Sequence, residues 1–211
     1  MRNPYGNEDI DRYLSISDRE KAGIERHKLA AQGPDIVPLL LKQTVLKIKE
    51  QREALGGVFS GPYAAIYLQL LFDQASDLLL EMVGSSSRIS QAVTQQLVGL
   101  IQNNNPGIRA LACILAGLPG MTYPLIAEPL IRQFQSDENF VVKLAAAAHL
   151  QGHSEMRPLI SPSIRQLAYQ LVGSYLKMPV KKNEKEKSGE LFRIMIIQRF
   201  PQILALQDET Y

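Results

Sequence analysis

The sequence predicts an all-α chain, and three observations carry that prediction. Between the turn signals, nearly every segment repeats apolar residues at steps of three and four, the spacing of one helix face. No stretch alternates strictly between apolar and polar, and the Asn-Gly and Asp-Gly pairs that favour hairpin turns are absent. The chain also resembles itself at one constant offset, the one that carries Leu97 onto Ile131.

The elements follow in order. Ser17, with Glu20 three residues on, has capping-box spacing and opens a helix through Lys28 to about Ala31, which Gly33 and Pro34 end. Pro34 and Pro38 suit a helix start, after which Val37, Leu40, Leu41, Val45 and Ile48 form a stripe that stops at Gly56 and Gly57. Ser60, Gly61 and Pro62 begin the next helix, in which Ile66, Leu70, Leu71, Leu78 and Met82 run to Gly84. Ser85 to Ser87 read as a turn, and Ile89, Val93, Leu97, Leu100 and Ile101 carry a further helix to Asn103, Asn104 and Asn105. The later helices are expected near Pro106–Leu118, Tyr123–Ser136, Glu138–Gln151, a segment from Met156 or Pro162 to Lys177, and Glu186–Leu206. Pro201 should kink or shorten the last, because it removes a backbone donor.

At 211 residues the chain is long enough to bury a substantial core and is expected to be one domain, 1–211. Within it, 1–84 hold the N-terminal helices or a cap, 87–177 the clearest repeats, 178–188 a polar linker and 189–207 a C-terminal helix. A net charge of +2 is far from the footprint of a dedicated nucleic-acid binder. The one cysteine cannot form an internal disulfide, so nothing asks for an oxidising compartment. The N-terminus MRNPYGNEDIDRYL is too polar for a signal peptide and too acidic for a transit peptide. Gln69, Asp73, Gln74 and Asp77 interrupt the longest apolar stretch, Tyr63 to Val83, and would be costly in hydrocarbon. A soluble, cytoplasmic chain without a membrane span is the expectation.

The offset sets LVGLIQNNNPGIRALACILAG over IRQFQSDENFVVKLAAAAHLQ. Ile108 and Arg109 meet Val142 and Lys143, Ala112 meets Ala146, and Asn103–Asn105 meet Asp137–Asn139. Each copy is the end of an apolar helix, a polar turn, an aliphatic-basic pair and an alanine-rich helix. RPLI at Arg157 echoes YPLI at Tyr123 at the same offset. In this respect the chain resembles the HEAT and armadillo class of helical repeats, in which a turn with Asp or Asn is followed by Val-Arg and an alanine-rich second helix. The matching residues are Asn105, Ile108, Arg109 and Ala112, then Asp137, Val142, Lys143 and Ala146; the N-terminal third lacks the Val-Arg pair. The resemblance implies a right-handed α-α superhelix, a solenoid of about four to five helical hairpins. Physically, one hairpin cannot bury both of its faces, so neighbours must stack. Alanine lets helices approach closely while Leu130, Ile131 and Phe134 fill the space between.

Four sets of residues are candidates for chemistry. Cys113 aligns with Ala147, which marks a position for a small residue and favours an inert buried thiol over a nucleophile. His149 and His153 have the i, i+4 spacing of a metal pair, but no third ligand can be named and His149 aligns with Leu115. The run KKNEKEK, Lys181 to Lys187, contains Glu184 and Glu186 and reads better as a solvated linker than as a phosphate site. Arg109 and Lys143 either pair with the Asp of an adjacent turn or contact a partner, with Tyr123 and Arg132 on the preceding helix of the unit. No nucleotide-binding glycine loop or nucleophile elbow occurs.

The leading expectation is a protein-protein interaction scaffold that holds its partner on the concave surface made by the second helices, with Arg109, Lys143, Tyr123 and Arg132 as contacts. No cofactor, metal or catalytic residue is expected. One alternative is nucleic-acid binding by a basic groove, which would depend steeply on salt. Another is a small enzyme or lyase using Cys113, His149 or His153; the HEAT-like DNA glycosylases suggest it, but their clefts commonly include Trp, which this chain lacks. The segment LFRIMIIQRFPQILAL, Leu191 to Leu206, is apolar enough to cap the stack or to join two copies.

Overall fold

At Asp18, Ser86, Asn105, Asn139 and Ser161 a short polar side chain takes orphan amides of a helix's first turn. The computed structural model describes residues 7–54, 62–152 and 156–176, and among them are nine α-helices, two short 3-10 turns and no strand. In chain order the helices are α1 (Asn7–Leu14), α2 (Arg19–Ala30), α3 (Val37–Ala54), α4 (Pro62–Ser85), α5 (Ser87–Ile101), α6 (Pro106–Ala116), α7 (Tyr123–Ser136), α8 (Phe140–Gly152) and α9 (Pro162–Leu176). The 3-10 turns are Pro34–Ile36 and Arg157–Leu159.

Several boundaries differ from the sequence expectation, each for a local reason. Asp18, not Ser17, caps α2: its carboxylate accepts the amides of Glu20 and Lys21 at 3.0 Å. The serine cluster is not a turn, because α4 runs to Ser85 and only Ser86 separates it from α5, which it caps. The polar opening segment holds α1, a helix the sequence did not announce. Its Ile10, Tyr13 and Leu14 are at most 1% exposed, and the Tyr13 hydroxyl donates to the Gln74 carbonyl at 2.7 Å. The Gln74 amide returns bonds to the carbonyls of Tyr13 and Ile16. Among the described residues between α8 and α9 there is one 3-10 turn, Arg157–Leu159, where a helix from Met156 was one option; α9 starts at Pro162, the other. The expected stop at Gly56 and Gly57, the linker 178–188 and the C-terminal helix lie outside the described residues.

The apolar stripes face inward as their spacing requires. Val37, Leu40, Leu41, Val45 and Ile48 of α3 are at most 3% exposed, and Val93, Leu97 and Ile101 of α5 are fully buried. Helix α5 packs on α6 and on α7, α7 packs on α8, and α8 packs on α6, so two successive hairpins lie first helix on first helix and second on second. Helix α3 packs on α6 and on α5, and α9 packs on α8. Charged side chains clamp α2 to α4, with Arg26 bonded to Glu81 at 2.7 Å and to Asp77 at 2.9 Å.

That packing changes what the second helices offer. Every residue from Ala110 to Ala116 of α6 is buried, and in α8 all residues from Val141 to Leu150 are buried apart from Lys143. The alanine-rich helices are central struts with neighbours on several sides, and they present no lateral stripe along which a partner could lie. Among the described side chains, α6 and α8 are open to solvent only in their first turns.

Candidate functional site

The repeated turn is built twice from the same bonds. In the first copy, Asn103 Oδ1 accepts the amide of Asn105 at 2.9 Å, and Asn105 Oδ1 accepts those of Gly107 and Ile108 at 2.9 and 3.3 Å. In the second, Asp137 Oδ1 accepts the amide of Asn139 at 2.8 Å, and Asn139 Oδ1 accepts those of Val141 and Val142 at 2.9 and 3.4 Å. Each bond of the first copy thus has its counterpart one repeat on, with Asn139 in the place of Asn105. An Asx turn followed by an N-cap satisfies the orphan donors and fixes the entry angle of the second helix.

Arg109 links the two turns. Its Nε and Nη2 donate to the two carboxylate oxygens of Asp137 at 2.8 and 3.0 Å. Its Nη1 donates to the carbonyls of Asn103 and Asn104 at 2.8 and 3.1 Å. The guanidinium thus holds the backbone of its own turn and the side chain of the next, and the two side chains are 18% and 3% exposed. Of the two roles open to Arg109 in the sequence, pairing with the neighbouring Asp is the one the geometry shows. Planar, bidentate contact is the strong form of such a pair.

The other predicted residues separate. Lys143 stands at the equivalent place on α8, half-buried, and its ammonium makes no hydrogen bond or ion pair among the described residues. Tyr123 is 5% exposed, with its hydroxyl turned inward to the Leu118 carbonyl at 3.2 Å. It is a core side chain. Arg132 points out from α7, 62% exposed, with Glu128 at 3.9 Å.

Cys113 is fully buried. Burial pushes its thiol well above the usual cysteine range, the nearby Asp137 carboxylate adds to this, and Arg109 acts against it. The thiolate is disfavoured, as a packed position demands. His149 is 2% exposed and lies against the C-cap of α6, where a Cβ on Gly117 would come within 1.7 Å of its Nδ1. His153 lies outside the described residues. Among those residues no group of three or more His, Cys, Asp or Glu is placed to hold a metal, and no helix is long and apolar enough to cross a membrane.

Two features of this edge escaped the sequence reading. Phe140, the first residue of α8 and three residues after Asp137, is 45% exposed; its place inside a predicted helix gave no sign that the ring would face out. The second is a third copy of the cap. Ser161 accepts the amide of Ile164 at 3.3 Å, and the Arg165 amide donates to the Ser161 carbonyl at 3.1 Å. SPSIR at Ser161 matches NPGIR at Asn105, but it falls short of two full repeats, so a search at a constant offset passes over it. Among the described residues, the place of the first helix in this unit holds only the turn Arg157–Leu159. Together these residues define an all-helical chain with a repeated, clasped turn as its distinguishing feature. Comparison with family models, with curated proteins and with solved structures finds no match to it.

Proposed function

We propose that the chain is a protein-interaction module of the helical-repeat kind, a short superhelical stack that contacts its partner through the edge formed by its turns. The observation that supports this is the surface chemistry of that edge. Phe140 is exposed at the start of α8 with Lys143 one turn along, on a scaffold held by the Arg109–Asp137 clasp. An exposed aromatic ring beside a charged group on a rigid support is the usual form of an interface anchor. The contacts expected on the sides of α6 and α8 move to this edge, because those sides are filled by α3, α5, α7 and α9.

The test is site-specific photocrosslinking in cells of the source organism. A benzophenone side chain placed at Phe140 is expected to crosslink a discrete protein, and excess unlabelled chain should compete it away. The same group at Ile24, which is 55% exposed on α2, should not capture that protein. Identical capture profiles at both positions would remove the turn edge from the interface.

A further inference from the structure

The two clasped turns differ in one respect that points to a ligand. In the first, the cation at the fourth helical position, Arg109, is answered by Asp137, which stands two residues before the cap of the next helix. In the second, the cation is Lys143, and the residue two before the next cap, Ser161, is Leu159. Leu159 has no carboxylate to give and is itself 41% exposed. Lys143 therefore keeps the position of a clasp without its acid: a half-buried stem with an ammonium that no described residue pairs. Phe140 lies three residues earlier, on the same side of the first turn of α8.

We infer that the first turn of α8 docks a protein segment carrying Asp or Glu next to an apolar side chain. The carboxylate meets Lys143 as Asp137 meets Arg109, and the apolar group lies on Phe140. This rests on the interaction-module reading and names the chemistry of the partner. Charge complementarity selects the acid, and the exposed ring selects the apolar neighbour. A nucleic acid fits less well, because exposed Glu138 adjoins the site and Arg109, the cation of the preceding turn, already has its own carboxylate. Phosphate-dominated binding needs several free cations along a strand.

The experiment pans a random dodecapeptide phage library on the full chain and measures selected peptides by fluorescence anisotropy. Selected peptides should be enriched in Asp or Glu within a few residues of Leu, Ile or Phe. Lys143→Gln should weaken them by about tenfold or more, the loss expected for one charge-assisted bond. Lys143→Arg should retain binding, Phe140→Ser should lower it, and all three α8 variants should melt with the parent chain. Peptides without acidic enrichment, or a loss under twofold in Lys143→Gln, would overturn the docking site while leaving the interaction module to another surface. A library that yields no saturable binder would remove both. Tighter binding of oligothymidylate than of the acidic peptides would overturn the proposed partner class.

Discussion

Arg109 uses its whole guanidinium on structure, and that decides how it should be tested. Removing it leaves the Asp137 carboxylate, 3% exposed, without its counter-charge. Breaking a buried pair from one side is costly, so Arg109→Ala is expected to destabilise the chain by about 3 kcal/mol in urea denaturation, with Asp137→Asn milder because the amide still accepts. A loss below about 0.5 kcal/mol would show that the clasp is not closed in solution. A charge reversal at Arg109 is for the same reason a folding mutant and says nothing about a partner.

Cys113 makes a prediction in pH. Its thiol is raised from the ordinary 9.0, mainly by burial. Above that pH the unfolded chain releases the proton and the folded chain keeps it. The unfolded state then binds fewer protons, and stability falls as pH rises. The contribution is complete below pH 9 and is lost above it, at up to about 1.4 kcal/mol per pH unit. Cys113→Ala should flatten the alkaline fall in melting temperature between pH 9 and pH 10, whatever it costs at neutral pH. An unchanged slope would place the thiol in contact with water.

At the scale of the element, the caps and the close helix approach are the features to perturb. Asn105→Ala and Asn139→Ala each remove two amide contacts of a first turn, and each should cost about 1 kcal/mol. Similar losses at the two sites would express the repeat in energy as well as in bonds. Gly117 is set by space: its φ of −84° suits any residue, but His149 occupies the place of a Cβ. Gly117→Ala should therefore destabilise by roughly 1–3 kcal/mol through overpacking, and pairing it with His149→Ala should recover part of that loss. Additive losses in the double variant would separate the two residues.

For the whole molecule, the burial pattern predicts an order of opening. Helices α6 and α8 have neighbours on several sides, whereas α2 buries only Leu29 below the surface and is held largely by exposed charges. Native-state amide exchange should be slowest in α6 and α8 and fastest in α2. Raised salt should speed α2 alone, since its ion pairs with Asp77 and Glu81 are partly solvated. Equal protection across the three helices would contradict the central position assigned to α6 and α8.

Much of this was legible in the residues. Period fixes which face of a helix is apolar, and the stripes of α3 and α5 buried the residues their spacing named, Ile89 only in part. The internal repeat located both polar turns and the Asn105 cap, but it set the second helix from Glu138, where Asn139 caps a helix that begins at Phe140. Helix α1 was not legible: it is too short and too polar to announce a stripe, and contact with Gln74 holds it in place. The third cap was present in SPSIR but hidden by the shortened unit before it.

What the sequence determined by itself, then, was local: all-α character, the polar turns that precede the repeat helices and the small-residue character of position 113. Tertiary structure alone decided which of these helices has a free side. An alanine-rich stripe packs equally well against one neighbour or three, so composition cannot say whether a second helix lines a groove or stands at the centre. The flanking helix α3 settled that for α6, and the same packing gave Arg109 its carboxylate while leaving Lys143 without one.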